Sequence, residues 1–319
     1  MSDEILDRVL TLELVRVTER AAVAASYLVG RGNEKDADQA AVDAMRKELN
    51  QLDIDGEVVI GEGERDEAPM LFIGEKVGSG KGPKVDIALD PLEGTTLTAK
   101  GQADALTTIA MAEKGSLLNA PDVYMDKIAV GGGLPDGVVD LDKSIKENLA
   151  NLSDAKNVSI SDLLVCILDR PRHAEIINDV RNAGARIMLI SDGDVSGVIA
   201  SAQNETGVDL YVGSGGAPEG VLAAAALKCI GGQMQSRILI NNSDEEKRAI
   251  KMGITDVSLV YKLDDLVSKD VIFSASGVTD GSLLNGVFFQ EDRVFVETLV
   301  MRSNNGTVRR LKTEYKNFI

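Results

Sequence analysis

The chain has 319 residues, of which 44% are apolar and 27% charged, and its formal net charge at pH 7 is −17. This composition is that of a globular chain with a sizeable core and excludes a disordered or fibrous protein. An acidic chain without a lysine- and arginine-rich stretch interleaved with aromatics argues against nucleic-acid binding.

The sequence also bears on the compartment. We see no signal peptide in the first residues and no apolar run of membrane-spanning length, so we expect a cytoplasmic protein without a membrane partner. Cys166 and Cys229 each lie in an apolar stretch and are expected to be buried free thiols. An aromatic content of 3% leaves aliphatic residues to fill the core, which suits buried parallel strands.

In the first half of the chain, the spacing of apolar residues predicts helices at 5–29 and about 37–50. Strands are predicted at 58–60, 85–89 and 107–112. The first two strands run directly into acidic loops, at residues 61–64 and 90–95. Ligand sites of open α/β sheets lie just past the carboxyl ends of strands, so these loops are candidate site segments.

The second half alternates strands and helices. Strands are predicted at 163–168, 187–190 and 210–212, with helices at 172–183, about 195–203 and 217–230, and with final strands at about 271–274 and 285–300. This rhythm predicts βαβ units and a parallel sheet. We therefore expect two domains, 1–155 and 156–319, with the option that the last strands return to the first domain.

Two glycine-rich stretches resemble nucleotide-binding motifs but lack residues that those motifs require. Around Lys81, the P-loop glycine is replaced by Glu75 and the required Ser or Thr by Gly82. After the strand at 210–212, the third glycine of a dinucleotide fingerprint would fall on Pro218. The α/β rhythm thus does not predict a nucleotide cofactor.

Acidic residues recur in segments whose glycines and prolines allow sharp turns. They are Asp38, the loop acids Glu62, Glu64 and Asp66, the pair Asp90 and Glu93, and Glu219. Oxygen ligands without His or Cys favour Mg²⁺ or Mn²⁺ over Zn²⁺. Taken alone, each segment has an ordinary explanation, since Asp-Pro and Glu-Gly form turns and an acid after Pro218 suits a helix start.

The pair Asp90 and Glu93 has the most direct chemical interpretation. The two acids stand three residues apart around Pro91 and can face a common metal pair. Thr95 follows near the start of a possible short helix, where its hydroxyl and backbone N–H can hold a water or a phosphate oxygen.

Taken together, these segments resemble the class II fructose-1,6-bisphosphatases of the glycerol-operon type, a bacterial branch of the lithium-sensitive phosphatase superfamily. The matching segments span most of the chain in order and include GRGNEKDADQAAVDAMR, IDGEVVIGEGERDEAPMLFIGE, VDIALDPLEGTT, NAPDVYM, RPRH, ISDGDV and GGAPEGV. The resemblance implies a layered α-β-α-β-α sugar-phosphatase fold of the α/β class, with an α+β first domain and a Rossmann-like second domain. It also implies hydrolysis of fructose 1,6-bisphosphate at the 1-phosphate, and hence a place in gluconeogenesis.

The resemblance carries residue roles with it. It implies metal ligands for Mn²⁺ or Mg²⁺ at Asp38, Glu62, Asp90, Glu93 and Glu219. It implies substrate contacts at Glu93, Gly94, Thr95, Tyr124, Arg170, Pro171, Arg172, Asp192, Gly193, Asp194 and Gly216. Asp66 and Thr95, with Glu64 beside them, form the expected catalytic group that orients and deprotonates the attacking water.

Several side chains keep two interpretations. Arg170 and Arg172 suit the non-reacting phosphate of a bisphosphate, or are surface arginines. Tyr124 either bonds a phosphate or packs, and Asp194 either accepts from a sugar hydroxyl or caps a helix. His173, the single histidine, is expected at a helix N-terminus, solvated or beside phosphate, and not as a general base.

One position departs from the family pattern, which commonly has Lys two residues after Gly-Arg-Gly. Glu34 stands there, with Lys35 one place later, so either Lys35 takes over the contacts of that lysine or the site is altered. The competing hypotheses are a dual fructose/sedoheptulose bisphosphatase, an inositol-monophosphatase-like activity and a non-catalytic sugar-phosphate sensor. We also expect a homo-oligomer, a dimer or a tetramer.

Overall fold

The computed structural model describes residues 10–63 and 70–316. In chain order, the elements are α1 Leu10–Ser26, α2 Glu34–Leu49, β1 Asp55–Ile60, β2 Lys76–Val77, β3 Lys84–Glu93, α3 Thr95–Lys100, β4 Leu106–Glu113, β5 Tyr124–Val130, α4 Ile145–Lys156, β6 Leu164–Leu168, α5 Ala174–Ala183, β7 Arg186–Ile190, α6 Asp194–Ala200, β8 Leu210–Gly216, α7 Ala217–Ile230, β9 Gln233–Ile238, α8 Ser243–Lys251, β10 Tyr261–Lys262, α9 Leu263–Leu266, β11 Val271–Gly277, β12 Phe288–Gln290, β13 Arg293–Arg302 and β14 Thr307–Lys316. Short 3₁₀ turns lie at Ile160–Asp162, Pro171–His173 and Asn204–Thr206.

The chain divides into two compact units, one formed by Met1–Leu118 with Lys269–Ile319 and the other by Asn119–Ser268. This division differs from the predicted boundary at 155. The reason is β5, which lies before residue 155 but pairs with β8 and β9 of the second unit. The final strands belong to the first unit because β11 pairs with β4 along its whole length.

The first unit contains an eight-stranded sheet in the order β12-β13-β11-β4-β3-β1-β2, with β14 also paired to β13. Among the described strands of this sheet, β1 and β3 are parallel and the other neighbours are antiparallel. The helices α1 and α2 pack against each other, and α1 also contacts β11 and β13. Leu14, Val17 and Ala21 are buried on α1, so a largely aliphatic core fills this unit.

The second unit contains a six-stranded sheet in the order β10-β9-β5-β8-β6-β7. The strand β6 runs parallel to both β7 and β8, as the alternating pattern predicts. The strand β5 runs antiparallel to its neighbours β8 and β9, so the sheet is mixed and not fully parallel. Two mixed sheets with accompanying helices confirm the predicted α/β class.

Several element bounds correct the predictions. The acidic segment from Asp90 to Glu93 belongs to β3, where a turn was expected, and residues 213–216 extend β8 beyond the predicted strand at 210–212. Cys166 and Cys229 are buried and are not joined in a disulfide, as predicted. Among the described residues, none of the helices has the length and apolar character needed to cross a bilayer.

Candidate active site

In the first unit, the parallel pairing of β1 with β3 aligns two acidic segments. Ile60 pairs with Ala88, and Glu62 and Asp90 each lie two residues further along their segments. Beyond Ile60, the Glu62 N–H donates to the Leu71 carbonyl at 3.0 Å. Because β1 and β3 run parallel, these two acids lie at the same end of neighbouring strands, where the sequence analysis expects a site.

A local irregularity of β3 brings its two acids together. The register with β4 shifts between Asp90 and Glu93, and the Leu92 N–H donates to Asp90 Oδ1 at 3.0 Å. The carboxylates of Asp90 and Glu93 offer oxygens within 4.8 Å of each other. Glu93 is 6% exposed, so its carboxylate is largely desolvated beside that of Asp90. A cation bound there would stabilise the two negative charges.

Thr95 is the first residue of α3, as predicted, and its position depends on Gly94. Gly94 has φ +92°, and a Cβ there would lie 2.9 Å from the Leu97 side chain. A glycine is therefore needed to turn the chain from β3 into the helix. The turn leaves Thr95 at the helix start, two residues after Glu93.

Asp38 lies on α2, which contacts both β3 and α3. The loop before this helix is tied to α3, since the N–H of Gly30 donates to the Thr98 carbonyl at 2.9 Å. Asp38 is half-buried, and burial raises the pKa of its carboxyl. The side chain is thus partly shielded from bulk water, unlike Glu34 and Lys35, which are exposed in the first turn of the same helix.

The predicted catalytic residues Asp66 and Glu64 fall outside the described residues. The other predicted ligands of this unit are Asp38, Glu62, Asp90 and Glu93, and all lie on or beside the α2, β1 and β3 segments described above.

In the second unit, the parallel strands β6, β7 and β8 end at one edge of the sheet. Arg170, Pro171 and Arg172 follow β6, Asp192, Gly193 and Asp194 follow β7, and Gly216 ends β8. Tyr124 opens β5 and pairs with Gly216. The structure therefore brings the predicted substrate residues of this unit to one edge, where ligands bind in open α/β sheets.

The two arginines at this edge are held in different ways. Arg170 Nη2 lies 3.5 Å from Asp192 Oδ1. Arg172 donates from Nη2 to the Ser214 carbonyl at 2.8 Å, and its guanidinium lies 4.8 Å from the centre of the Tyr124 ring. Tyr124 is 47% exposed, so it acts as a platform for Arg172 and not as a packed core residue.

His173 differs from its predicted setting. It directly precedes α5, as expected, but it is 1% exposed, so the solvated alternative is wrong. Its Nδ1 lies 2.8 Å from the Leu168 carbonyl, and its Nε2 accepts from the Ser214 N–H at 2.8 Å. Burial, followed by the neighbouring Arg172 charge, lowers the pKa of this imidazole.

For Asp194, the helix-capping alternative is wrong. It is the first helical residue of α6 and does not cap it, and its Oδ2 lies 2.6 Å from Lys127 Nζ. Side-chain exposure is 0% for Lys127 and 5% for Asp194, so the pair is buried. Sequence reasoning missed Lys127 because β5 was not predicted; a lysine in the run Met125 to Val130 is the signal that could have found it.

Glu219 lies in the first turn of α7, after Pro218, and is the best evidence for a cation in this unit. Its Oε2 is buried and makes no hydrogen bond to any described residue. Burial, and next the charge of Asp194, raise the pKa of Glu219, whereas Lys127 acts in the opposite direction. A buried carboxylate oxygen that lacks a donor is satisfied by a metal ion or by a proton.

The glycines of β8 make room for these acids. A Cβ at Gly215 would lie 2.0 Å from Asp194 Oδ2, and a Cβ at Gly216 would lie 1.8 Å from Glu219 Oε2. These glycines do not form a dinucleotide-binding motif. They leave room for the side-chain carboxylates that occupy the space beside the strand.

The first unit thus presents carboxylate oxygens suited to hard cations, and the second presents guanidinium groups suited to phosphate. Clustered carboxylates such as those of the first unit are typical of metal-dependent phosphate-ester hydrolases. A family model described as bacterial fructose-1,6-bisphosphatase, glpX-encoded, matches residues 8–315. The chain belongs to this family and is therefore a phosphatase.

Relatives agree with the family. The chain is 46% identical over 320 residues to fructose-1,6-bisphosphatase 1 class 2 of Escherichia coli (strain K12), covering 96% of this chain and 95% of that protein. Fructose-1,6-bisphosphatase class 2 of Shigella flexneri matches with the same identity and coverage. The family resemblance stated from the motifs is confirmed.

Solved structures also match, at low similarity. The extragenic suppressor protein suhB of Bartonella henselae is 15% identical with a TM-score of 0.33, over 61% of this chain and 74% of that one. The IMPase of Thermotoga maritima is 13% identical with a TM-score of 0.34, over 67% of this chain and 82% of that one. At such TM-scores the likeness carries no structural conclusion.

Proposed function

We propose that this chain hydrolyses the 1-phosphate ester of fructose 1,6-bisphosphate in gluconeogenesis, with Mn²⁺ or Mg²⁺ as the required cation. The observation that carries the proposal is the buried Oε2 of Glu219, which lacks a hydrogen-bond donor among the described residues. A divalent cation bound in a bisphosphate phosphatase would coordinate this oxygen and so compensate for its burial.

The donor set supports the choice of cation. The proposed ligands are Asp38, Glu62, Asp90, Glu93 and Glu219, all of them carboxylates. Carboxylates without imidazole or thiolate favour Mg²⁺ and Mn²⁺. When bound, such a cation supplies a more acidic water and stabilises the charge on the leaving oxygen.

The chain's own residues do the rest of the chemistry. In the proposed reaction, the hydroxyl of Thr95 orients the attacking water, and Asp66, beside Glu64, takes its proton. A bond forms from the water oxygen to phosphorus and the ester P–O bond breaks. The leaving sugar oxygen takes up a proton from solvent water and departs as a hydroxyl. The backbone N–H groups of Gly94 and Thr95, near the start of α3, hold the reacting phosphate while its charge develops.

Recognition of the sugar bisphosphate falls to the second unit. Arg170, with Pro171 setting the turn, and Arg172 are proposed to bind the non-reacting phosphate, because guanidinium groups match phosphate geometry. Asp192 is proposed to accept hydrogen bonds from sugar hydroxyls. Asp194 is proposed to do the same, with Lys127 holding its carboxylate in place.

Measuring phosphate release tests the proposal directly. We expect release from fructose 1,6-bisphosphate with Mn²⁺ or Mg²⁺, none in EDTA, and recovery when the metal is returned. Activity that survives EDTA would contradict the metal requirement. Comparing kcat/KM with sedoheptulose 1,7-bisphosphate decides between the single and the dual activity.

Two variants test the assigned roles. Glu62→Gln and Thr95→Ala are each expected to lower kcat by about 10²- to 10³-fold without loss of helical circular dichroism. The matched control is Glu57→Gln, on the same strand β1, where the carboxylate pairs with Lys76 and Lys114 at the surface. Near-full turnover in either test variant would show that the residue is wrongly assigned.

We also propose that the chain acts in the cytoplasm as a homo-oligomer, a dimer or a tetramer. Two buried cysteines that form no disulfide suit a reducing compartment. Light scattering after gel filtration measures the oligomeric state, and a monomer at micromolar concentration would contradict this part of the proposal.

A further inference from the structure

A chain of polar contacts in the second unit runs from the end of β6 to the surface. It begins at the Leu168 carbonyl, passes through His173 and Ser214, and ends on the exposed guanidinium of Arg172. His173 and Ser214 are both buried, at 1% and 8% exposure. Neither residue has a role in the chemistry proposed above.

The partners of His173 define its tautomer. A backbone N–H can only donate, so Nε2, which receives the Ser214 N–H at 2.8 Å, carries no proton. A carbonyl can only accept, so Nδ1, at 2.8 Å from the Leu168 oxygen, carries the proton. The imidazole is therefore neutral and held in one tautomer, with its ring locked between β6 and β8.

Ser214 connects the fixed His173 ring to the guanidinium of Arg172. Its Oγ lies 3.1 Å from His173 Nε2 and accepts from Arg172 Nε at 3.1 Å, while its carbonyl accepts from Arg172 Nη2 at 2.8 Å. Ser214 thus binds one edge of the guanidinium, and the Tyr124 ring lies against a face of it, 4.8 Å from its central carbon to the ring centroid. Within the described part of the chain, Nη1 makes no hydrogen bond, which leaves it available to a ligand.

An exposed arginine otherwise samples many rotamers, and ordering them on binding opposes affinity. A side chain already fixed by Ser214 and Tyr124 avoids that loss. Gly213 is part of the arrangement, because a Cβ there would lie 3.1 Å from the His173 ring. The close approach of β8 to this ring thus depends on a glycine.

We infer that His173 and Ser214 are positioning residues that hold the Arg172 guanidinium ready for a phosphate group of the substrate. This inference rests on the proposed function, in which Arg172 binds the non-reacting phosphate. It predicts that loss of the chain of contacts weakens phosphate binding and spares the chemical step.

The first experiment reads the tautomer in the intact protein. His173 is the only histidine of the chain, so ¹⁵N-histidine labelling gives one pair of ring-nitrogen signals. At about pH 7.5 we expect a neutral ring with Nδ1 protonated. A charged ring, or a proton on Nε2, overturns the inference.

The second experiment separates positioning from general structure. Ser214→Ala and His173→Phe are expected to raise KM for fructose 1,6-bisphosphate, and Kd for inorganic phosphate, by about three- to tenfold, with kcat within about twofold. The control Glu175→Gln, at an exposed site of α5, is expected to change neither constant. If His173→Phe fails to fold, the constants of Ser214→Ala decide the question alone.

The outcomes separate the inference from the proposed function. An unchanged KM and Kd in Ser214→Ala, or a fall in kcat as large as the rise in KM, overturns the inference. If the wild-type chain releases no phosphate from the bisphosphate, the proposed function fails instead. The tautomer and the Kd for inorganic phosphate still decide the inference in that case.

Discussion

The two units handle charge in opposite ways. In the first unit, acids face acids, since Asp90 and Glu93 bring their oxygens within 4.8 Å of each other. In the second unit, cations face acids within the fold, as in the pairs Lys127–Asp194 and Arg170–Asp192. The comparison teaches that Asp194 is balanced by a cation of its own unit, whereas Asp90 and Glu93, like Glu219 of the second unit, gain from a cation supplied from outside.

Breaking the buried pair of the second unit should give the largest effect. Lys127→Met leaves the buried Asp194 carboxylate without its cation, which we expect to cost about 3–5 kcal/mol of unfolding free energy in urea. The control Lys247→Met breaks the exposed pair with Asp244, at 74% and 84% exposure, and should cost less than about 1 kcal/mol. Equal losses of unfolding free energy in the two variants would mean that burial does not increase the contribution of the Lys127–Asp194 pair to stability.

Crowding the Glu219 carboxylate tests whether that oxygen binds a cation. In Gly216→Ala, the new Cβ would lie 1.8 Å from Glu219 Oε2, so the carboxylate must move. We expect the Mn²⁺ concentration for half-maximal activity to rise by about 10- to 100-fold.

The control for this variant is Gly137→Asn, because a Cβ at Gly137 meets open space and Asn tolerates its φ of +71°. An unchanged Mn²⁺ requirement in Gly216→Ala would remove Glu219 from the proposed ligand set.

Removing a charge from the first unit should raise the free energy of unfolding, whereas Lys127→Met lowers it. Burial raises the pKa of Asp38, so its ionised form disfavours the folded state at neutral pH. In EDTA, Asp38→Asn is expected to raise the unfolding free energy by about 0.5–1 kcal/mol while abolishing activity with metal.

The matched control for this variant is Asp43→Asn, at an exposed site of the same helix, which should change stability by less than about 0.5 kcal/mol. A loss of stability in Asp38→Asn would show that the first unit neutralises this charge internally.

The comparison also explains what could be predicted from sequence. The segments around Glu62 and Thr95 follow strands and carry Gly or Pro, so local rules placed them past the ends of β1 and β3, although Asp90 lies within β3. The parallel arrangement of β6, β7 and β8 was likewise visible in the alternation of strands and helices.

What escaped prediction depends on pairing between distant parts of the chain. Nothing local shows that β5 pairs with β8 and β9, so the division at 155 was misplaced. Lys127 was missed with that strand, and the burial of His173 depends on the approach of Ser214 from β8. Local periodicity carries no information about such partners.

The smallest expected effect concerns His173 and isolates one titration. Burial lowers the pKa of the imidazole, so the folded state holds it neutral while the unfolded chain takes up a proton below about pH 6.5. The stability advantage of the wild type over His173→Gln should therefore be constant above that pH and shrink as the pH falls below it.

All other titrating groups are shared by the two chains, so the difference between their urea unfolding free energies reports His173 alone. A difference that stays constant down to about pH 5 would mean that the buried imidazole accepts a proton as readily as the unfolded chain does, and that the Ser214 N–H does not need Nε2 as its acceptor.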